Sequence, residues 1–440
     1  MKILFTSLMC IYFTVLIGQD MTAESEVIIS TQLPAWFQLY QDLHASPELS
    51  FYEEETSSKM AQVLRKQGFE VTMDFGGHGV VGVLKNGPGP TVMVRADMDA
   101  LPVVEDTGLP YASTILTNDE NGNQVGVMHA CGHDLHMTVW SATAQLLSEL
   151  KDQWKGTLVF IAQPAEERSG GAKAMLADGL YEKFPRPDYA LALHTSASLE
   201  VNKIGYVSGY AMANVDFMKI TIFGEGGHGA YPHTTKDPVV LAARTILDLQ
   251  TIVSREISPL EPAVVTVGKI SGGTKGNIIP DQVELELTMR SYSDEVKEAL
   301  IEKIKRICIG NAIAAGLTED KYPEFWLRPE DTPALFNDPE LTDELAAMLK
   351  KRLGEEQVVE VKPVMAGEDF SEFGRVEPKI PISLFWLGAV APEKIKAAEA
   401  GEIELPSLHS SKFAPVAEPA IETGVKAMSA AVLHLLGKEK

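Results

Sequence analysis

The sequence is poor in cysteine and has no cluster of positive charge. Among its 440 residues are three cysteines and ten histidines, and 38 lysines and arginines stand against 61 acidic residues, a formal net charge of −23. Because no basic block interrupts this acidity, we expect neither nucleic acid nor an anionic membrane surface as a partner. The sequence also lacks a G-x-S-x-G elbow, which argues against a serine nucleophile.

Long apolar runs are absent except at the N-terminus. Residues 3–18 read ILFTSLMCIYFTVLIG, directly after Met1 and Lys2. A positive start, a short apolar stretch and small residues beyond it predict a signal peptide over residues 1–23, cleaved near Gly18 or Ala23. The run is short for a membrane span, and a retained N-terminal anchor is the alternative. We therefore predict an exported protein, periplasmic or secreted, without membrane contact after signal removal.

Loss of the signal would leave two cysteines, Cys131 and Cys308. Export permits a disulfide between them. However, Cys308 falls on one helical face with Leu300 and Ile304, which predicts a small core residue. Cys131 stands among histidines, so we favour a metal-binding role for it and keep the disulfide as the alternative.

Several apolar runs end abruptly at polar residues. TVMV precedes Asp97, TLVFIA precedes the pair Glu166-Glu167, and YALAL precedes His194. These runs predict buried strands, and helical patterns lie between them. The alternation predicts an α/β fold with a mainly parallel twisted sheet flanked by helices, whose ligands bind at the carboxyl ends of the strands.

A different pattern begins near residue 206, where half-exposed strands alternate with amphipathic helices. This pattern predicts a second α+β domain inserted into the first. The predicted organisation is a signal peptide at 1–23, a first catalytic segment at 26–205, the inserted domain at 206–316 and a second catalytic segment at 317–440.

The stretch HACGHDLH concentrates the residues that bind metals. It contains His129, Cys131, His133 and His136 within residues 129–136. Thiolate, imidazole and carboxylate together suit a borderline divalent ion such as zinc or manganese. A helix follows, and its positive N-terminus favours the thiolate of the cysteine. The alternative is a buried cysteine beside structural histidines.

The pair Glu166-Glu167 follows a predicted strand and a proline. Neighbouring carboxylates in a loop can face different ways, so that one binds a metal while the other acts as a base on water. His194 and His409 add two imidazoles that follow a strand and lie in a loop, respectively. Taken singly, each of these residues is also compatible with an ordinary polar position.

Eight motifs follow one another between residues 35 and 435. They are LHASPELSFYEEET (43–56), RADMDALP (95–102), MHACGHDLH (128–136), QPAEE (163–167), GGHGAYPH (226–233), GGTKGNIIP (272–280), GEDFSEF (367–373) and LHSSKF (408–413). In this order they resemble the binuclear metallohydrolases of the aminoacylase and carboxypeptidase superfamily. The resemblance is strongest to its amidohydrolase branch, which contains hippurate, N-acyl-amino-acid and indole-acetyl-amino-acid hydrolases.

The resemblance implies a role for each matching residue. It implies five ligands for two divalent metal ions, namely Cys131, His133, Glu167, His194 and His409. Glu166 matches the general base, while His129 and His136 match no ligand. Asp97 matches an aspartate that orients a metal-bound histidine in related branches, although Arg95 stands where those branches have histidine. The implied metal is Mn²⁺ or Zn²⁺, with Co²⁺ or Ni²⁺ as alternatives.

The inserted domain resembles a lid and dimerisation domain, which implies a homodimer. His228 matches a histidine that polarises the scissile carbonyl, often across the dimer. Asn277 and Arg290 match positions that hold the substrate carboxylate, a group that arginine binds in a bidentate manner.

We therefore predict an exported, metal-dependent amidohydrolase that removes the acyl group from N-acyl amino acids by a metal-activated water. The alternatives are a dipeptidase or carboxypeptidase acting on short peptides, and a non-catalytic dimer that binds metal. The matching ligands and Glu166 argue against the last of these.

Overall fold

The structure is a computed structural model, and it describes residues 23–119, 121–329 and 331–437. The predicted signal peptide at 1–23 therefore lies outside the described residues, apart from Ala23. The helices of the described part are α1 (Ala23–His44), α2 (Glu54–Lys66), α3 (His133–Glu149), α4 (Gly171–Ala177), α5 (Leu180–Lys183), α6 (Pro238–Thr251), α7 (Asp294–Ala314), α8 (Pro339–Leu353), α9 (Ser371–Arg375), α10 (Pro392–Glu399) and α11 (Ala417–Leu436).

The strands belong to two main sheets and three short ribbons. They are β1 (Glu70–Thr72), β2 (Val80–Lys85), β3 (Thr91–Asp97), β4 (Leu116–Asn118), β5 (Gln124–Gly126), β6 (Thr157–Gln163), β7 (Tyr189–Glu200), β8 (Ile204–Tyr206), β9 (Gly209–Met212), β10 (Asp216–Phe223), β11 (Gly227–His228), β12 (Ala263–Ser271), β13 (Ile278–Ile279), β14 (Gln282–Ser291), β15 (Glu324–Leu327), β16 (Leu335–Asn337), β17 (Val358–Glu360) and β18 (Ile382–Val390).

The larger sheet has the strand order β1-β2-β6-β3-β7-β18-β8-β17. Its centre is parallel, because β3 pairs in parallel with β6 and β7, and β7 with β18. Helices α1, α3 and α11 pack over one face and α4 and α9 over the other. The prediction of a mainly parallel α/β sheet flanked by helices is confirmed.

The three apolar runs of the sequence analysis form β3, β6 and β7. All seven residues of β3 are buried, as expected for a strand covered on both faces. Strand β7 differs from the prediction, since it continues through His194 to Glu200. It continues because its pairing with β18 extends beyond His194, across a register shift, to Glu200.

The smaller sheet is antiparallel, in the order β12-β14-β10-β15, and α6 and α7 cover one of its faces. Residues of β10 alternate between buried and half-buried, which is the burial of a strand with one solvated face. Ser293 caps α7 by accepting a hydrogen bond from the Val296 N–H at 3.2 Å. The sheet includes β15, so it continues past the predicted domain boundary at residue 316; the boundaries themselves stay a prediction.

The two described cysteines lie far apart in this arrangement. Cys308 is buried in the core between α7 and the smaller sheet, as predicted. Cys131 lies beside the larger sheet, and both are free thiols. The alternative of a disulfide between them is therefore wrong.

Candidate metal centre and active site

The loop before α3 brings Cys131 and His133 to the carboxyl edge of the parallel strands. Gly132 between them has φ 82°, a left-handed conformation that glycine adopts without strain. A Cβ at this position would stand 3.0 Å from the side chain of Thr195 in β7. The loop therefore packs closely against β7, and this packing positions both Cys131 and His133.

The pair Glu166-Glu167 sits in a turn with two left-handed residues, Ala165 at φ 49° and Ser169 at φ 53°. Such conformations are costly for residues other than glycine and are concentrated at functional sites. The N–H groups of Glu166 and Glu167 donate to the carboxylate of Asp99 at 3.1 and 3.0 Å. Asp99 thereby fixes the direction in which the two glutamates point.

The five candidate ligands converge. The Sγ of Cys131 lies 3.6 Å from Nε2 of His194 and 3.3 Å from Nε2 of His409. The Oε1 of Glu167 lies 3.4 Å from Nε2 of His409 and 3.9 Å from Nε2 of His133. These atoms form overlapping groups in which the donor atoms stand within 4.8 Å of one another.

Two of the candidate histidines, His133 and His194, contact backbone carbonyls through Nδ1, which leaves Nε2 available to bind a metal. The Nδ1 of His133 contacts the carbonyl of Asp99 at 2.7 Å, and that of His194 contacts the carbonyl of Thr195 at 2.8 Å. A carbonyl only accepts, so each Nδ1 carries a proton, and Nε2 is the nitrogen left to bind a metal. Nε2 of His133 and Oε1 of Glu167 are buried without a hydrogen-bond partner. Buried unpaired acceptors facing one another fit a bound cation.

Asp97 does not orient His133 directly. Its carboxylate contacts Nδ1 of His136 at 2.6 Å, whereas Nε2 of His133 is 3.7 Å away. The Nε2 of His136 accepts the N–H of Thr195 at 2.8 Å. Both nitrogens of His136 are therefore engaged, and the residue that holds His133 is Asp99, to which the sequence analysis gave no role.

Arg95 is the centre of a buried ionic cluster behind the metal centre. Its guanidinium donates to Asp97 at 2.6 Å, Glu368 at 2.8 Å, Asp369 at 3.2 Å and the side-chain oxygen of Gln163 at 2.9 Å. The sequence analysis quoted the motifs RADMDALP and GEDFSEF but assigned no role to Arg95, Glu368 or Asp369. Their proximity depends on tertiary structure, because Arg95 and Glu368 are 273 residues apart in sequence.

Burial favours the protonated forms of two site residues, Glu166 and Cys131. Burial, together with the charges of Glu368 and Glu167, raises the pKa of Glu166 well above its usual value. Burial and the carboxylates of Glu167 and Glu166 likewise raise the pKa of Cys131. The predicted effect of the helix N-terminus on the thiolate of Cys131 stays a prediction. Burial lowers the pKa of His129 to about 4, so this buried histidine is neutral.

A cavity of about 460 Å³ opens over the centre, lined by Cys131, Glu166, Glu167, His194 and His409. Arg290 also lines it. His228 and Asn277 do not line it; they lie exposed on the ribbon formed by β11 and the segment before β13, where the N–H of Gly229 donates to the carbonyl of Asn277. One chain thus brings Arg290 to the centre but not His228 or Asn277.

The chain matches known proteins over most of its length. Residues 93–433 match the model of peptidase family M20/M25/M40. N-acetyldiaminopimelate deacetylase of Bacillus subtilis is 38% identical over 399 residues, covering 88% of this chain and 95% of that protein. Hippurate hydrolase of Campylobacter jejuni is 40% identical over 333 residues, covering 75% and 82%.

A solved structure of high similarity is the YXEP protein of Bacillus subtilis, described as a dinuclear metal binding peptidase from the M20 family. It superposes with a TM-score of 0.74 at 30% identity and covers 92% of this chain and 99% of its own. Dinuclear metal binding in this family agrees with the grouped donor atoms of the present chain.

The comparisons contradict the prediction of export. The relatives that match over most of their own length are deacetylases and hydrolases, and nothing in their names marks an exported protein. The segment from which export was predicted lies outside the described residues. In the described part, no helix is both long and apolar enough to cross a membrane. The predicted periplasmic or secreted location is therefore withdrawn.

Family match, relatives and metal-binding geometry agree with one another. The coordinating residue types converge at the strand ends of an α/β sheet, and the named relatives hydrolyse amide bonds. The chain belongs to peptidase family M20/M25/M40, as a metal-dependent hydrolase of amide bonds.

Proposed function

We propose that this protein hydrolyses the amide bond of N-acyl amino acids, releasing the acyl group as a carboxylic acid. The observation that carries the proposal is one cavity that holds both a nearly buried carboxyl, Glu166, and a half-buried guanidinium, Arg290, beside a cluster of metal-binding side chains. An N-acyl amino acid has a carboxylate close to its amide bond, which this pairing of groups accommodates.

Two divalent ions would be held by Cys131, His133, Glu167, His194 and His409. The unpaired Nε2 of His133 and Oε1 of Glu167 support this, and so does the mixture of sulfur, nitrogen and oxygen donors. Such a donor set suits Zn²⁺ or Mn²⁺, with Co²⁺ or Ni²⁺ as alternatives. When bound, the ions polarise the amide carbonyl and lower the pKa of water.

Glu166 is the proposed general base. Its carboxylate can take a proton from water and deliver that proton to the nitrogen of the departing amine, and burial beside other carboxylates raises its pKa, which strengthens it as a base. The hydrogen bond from its N–H to Asp99 holds the backbone of the turn, and Glu166 lines the cavity. Asp97, through Arg95 and His136, is proposed as a positioning residue behind the centre.

Arg290 is the proposed anchor of the substrate carboxylate. It belongs to β14, is half-buried, and lines the same cavity as the candidate ligands. Because Asn277 and His228 lie exposed and away from this cavity, we propose that a second subunit of a homodimer supplies them. His228 would then stabilise negative charge on the carbonyl oxygen.

Hydrolysis of a short peptide by a dipeptidase or carboxypeptidase is the alternative, in keeping with the family name. A peptide substrate of a dipeptidase needs a partner for its free α-amino group. An N-acyl amino acid has no such group, so the two functions differ in the substrates they accept.

A substrate panel tests the proposal. Metal-stripped protein, reloaded with Mn²⁺ or Zn²⁺, is assayed on N-acetyl, N-benzoyl and indole-acetyl amino acids beside dipeptides. We expect release of free amino acid from N-acyl substrates, dependent on metal. Cleavage of dipeptides alone would establish the alternative, and no hydrolysis despite two bound ions per chain would indicate a metal-binding protein without this activity.

The dimer is tested by mixing two inactive variants, Glu166→Gln and His228→Ala. If a site combines residues from both subunits, the mixed dimer contains one intact site and regains part of the activity. Each variant alone is the control. No recovery after subunit exchange would refute the shared site.

A further inference from the structure

We propose that the acyl group enters a second, apolar cavity next to the metal centre, and that the preferred substrates therefore carry a large apolar acyl group. This inference rests on the proposed function and specifies which N-acyl amino acids it concerns. The candidates are aromatic acyl groups and straight chains of six to eight carbons, as opposed to acetyl.

The second cavity is comparable in size to the first, about 460 Å³. Apolar side chains form most of its wall, among them Leu199, Val361, Val364 and Leu405. Lys362 is the one charged residue among the described residues that line it, and this lysine is exposed. A cavity of this size and composition suits an apolar ligand.

The two cavities are neighbours and share part of their wall. Ala366, Trp386 and Leu408 line both of them. The ring of Trp386 stands edge-on to His194 at a centroid distance of 5.3 Å, and Leu408 directly precedes His409. The apolar cavity thus begins one side chain away from two candidate metal ligands.

The two cavities together have a polar end and an apolar end, which are lined by different residues. Arg290 lines the cavity over the metal centre but not the apolar one. In an N-acyl amino acid, the carboxylate and the acyl group extend from opposite sides of the amide bond. A substrate with its carboxylate at Arg290 and its amide at the metal centre therefore directs its acyl group away from Arg290, toward Trp386 and the apolar cavity.

The expected selectivity follows from burial of the acyl chain. An acetyl group has a single methyl group and leaves the second cavity unfilled. Each further methylene that leaves water contributes up to about a fourfold gain. Because Val364 and Ser198 at the wall are exposed, we expect less, roughly threefold per methylene until the cavity is full.

The test is a series of N-acyl-glycines, which removes side chain and stereochemistry from the comparison. The metal-loaded full chain is assayed on N-acetyl-, N-butanoyl-, N-hexanoyl-, N-octanoyl- and N-benzoylglycine. We expect kcat/KM to rise along the chain-length series by roughly threefold per methylene, which is on the order of several hundredfold over the six methylenes that separate octanoyl from acetyl.

Two variants narrow the apolar cavity, Leu405→Trp and Val364→Trp. Both are expected to lower the ratio of octanoyl to acetyl kcat/KM by at least about tenfold. Val364 is 37% exposed, so its replacement leaves the core intact even if Leu405→Trp fails to fold. The matched control is Leu260→Trp, at a position 89% exposed and outside both cavities, which should keep the wild-type ratio.

The outcomes separate this inference from the proposed function. Equal kcat/KM for acetyl and octanoyl substrates would overturn the apolar acyl site and leave the amidohydrolase function standing. A chain-length preference that neither cavity variant changes would also overturn it. Hydrolysis of dipeptides with no N-acyl-glycine cleaved would refute both proposals.

Discussion

Replacement of Arg95 by methionine should destabilise the protein strongly, because it leaves a group of buried carboxylates without their cation. The guanidinium is almost fully buried and contacts Asp97, Glu368 and Asp369. Methionine keeps much of the volume but none of the donors. Removing one partner of a buried ionic cluster costs about 3–5 kcal/mol of unfolding free energy.

Replacement by lysine separates charge from geometry. Arg95→Lys keeps a positive charge, but an ammonium cannot bridge Asp97 and Glu368 as the planar guanidinium does. We expect an intermediate loss of about 1–3 kcal/mol, the cost of leaving buried polar groups unpaired. The control is Arg65→Met at the exposed end of α2, where a surface substitution changes stability by less than about 0.5 kcal/mol.

The assay is urea unfolding in the presence of a chelator, so that metal affinity does not enter the comparison. The shift in midpoint, multiplied by the slope, gives the change in unfolding free energy. If Arg95→Met proves no less stable than Arg65→Met, the cluster contributes nothing and the reasoning is refuted.

Three further predictions concern pH, ligand support and metal. Burial lowers the pKa of His44, but hydrogen bonds to Asp134 and Glu105 outweigh burial and raise the pKa to about 10. The pairing of His44 with these carboxylates therefore stabilises the fold fully below pH 6.5, and this contribution disappears as the pH rises through 10. His44→Gln should accordingly cost most stability near pH 6 and progressively less toward pH 10; an equal cost at both would contradict the pairing. Asp99→Asn keeps the backbone carbonyl that contacts His133 but removes the charge of the carboxylate that lies 3.4 Å from the same ring and accepts the N–H groups of Glu166 and Glu167. It should therefore lower metal affinity by about 10-fold to 100-fold in a calorimetric titration, and unchanged affinity would show that the carboxylate is dispensable. Free metal at about 100 times its dissociation constant should stabilise the protein by about 2.7 kcal/mol relative to chelator, seen as a higher melting temperature; equal melting temperatures would mean that no metal binds the folded protein.

The sequence predicted the elements that depend on local pattern. The continuous apolar runs form β3, β6 and β7, because a strand that is covered on both faces has no positions that face solvent. Cys308 could be assigned to a core because its helical spacing matched that of its apolar neighbours. Of the candidate site residues, Glu166 and Glu167 follow the end of β6 as expected, whereas His194 lies within β7, which extends beyond it.

Contacts between distant segments could not be predicted in this way. That His133 contacts the backbone carbonyl of Asp99 while the carboxylate of Asp97 contacts His136 depends on how α3 packs beside β3. The pairing of Arg95 with Glu368 depends on how the two catalytic segments pack. Residue types and spacing carry neither piece of information.

The location of His228 and Asn277 is a second feature that the sequence could not predict. Both occur in motifs that resemble a substrate site, yet they lie exposed on a ribbon while Arg290 lines the cavity. A motif states which residues belong together, but it does not state whether one chain or two supply them.

The most direct test of the account compares wild type with Glu166→Gln on N-benzoylglycine, with the metal content of both proteins measured in the same samples. Glutamine keeps the shape of the side chain but cannot take a proton. We predict the same metal content and a loss of about 10²-fold to 10⁴-fold in kcat. Full activity in Glu166→Gln with its metal bound would contradict the assignment of Glu166 as the base and, with it, the proposed chemistry of this site.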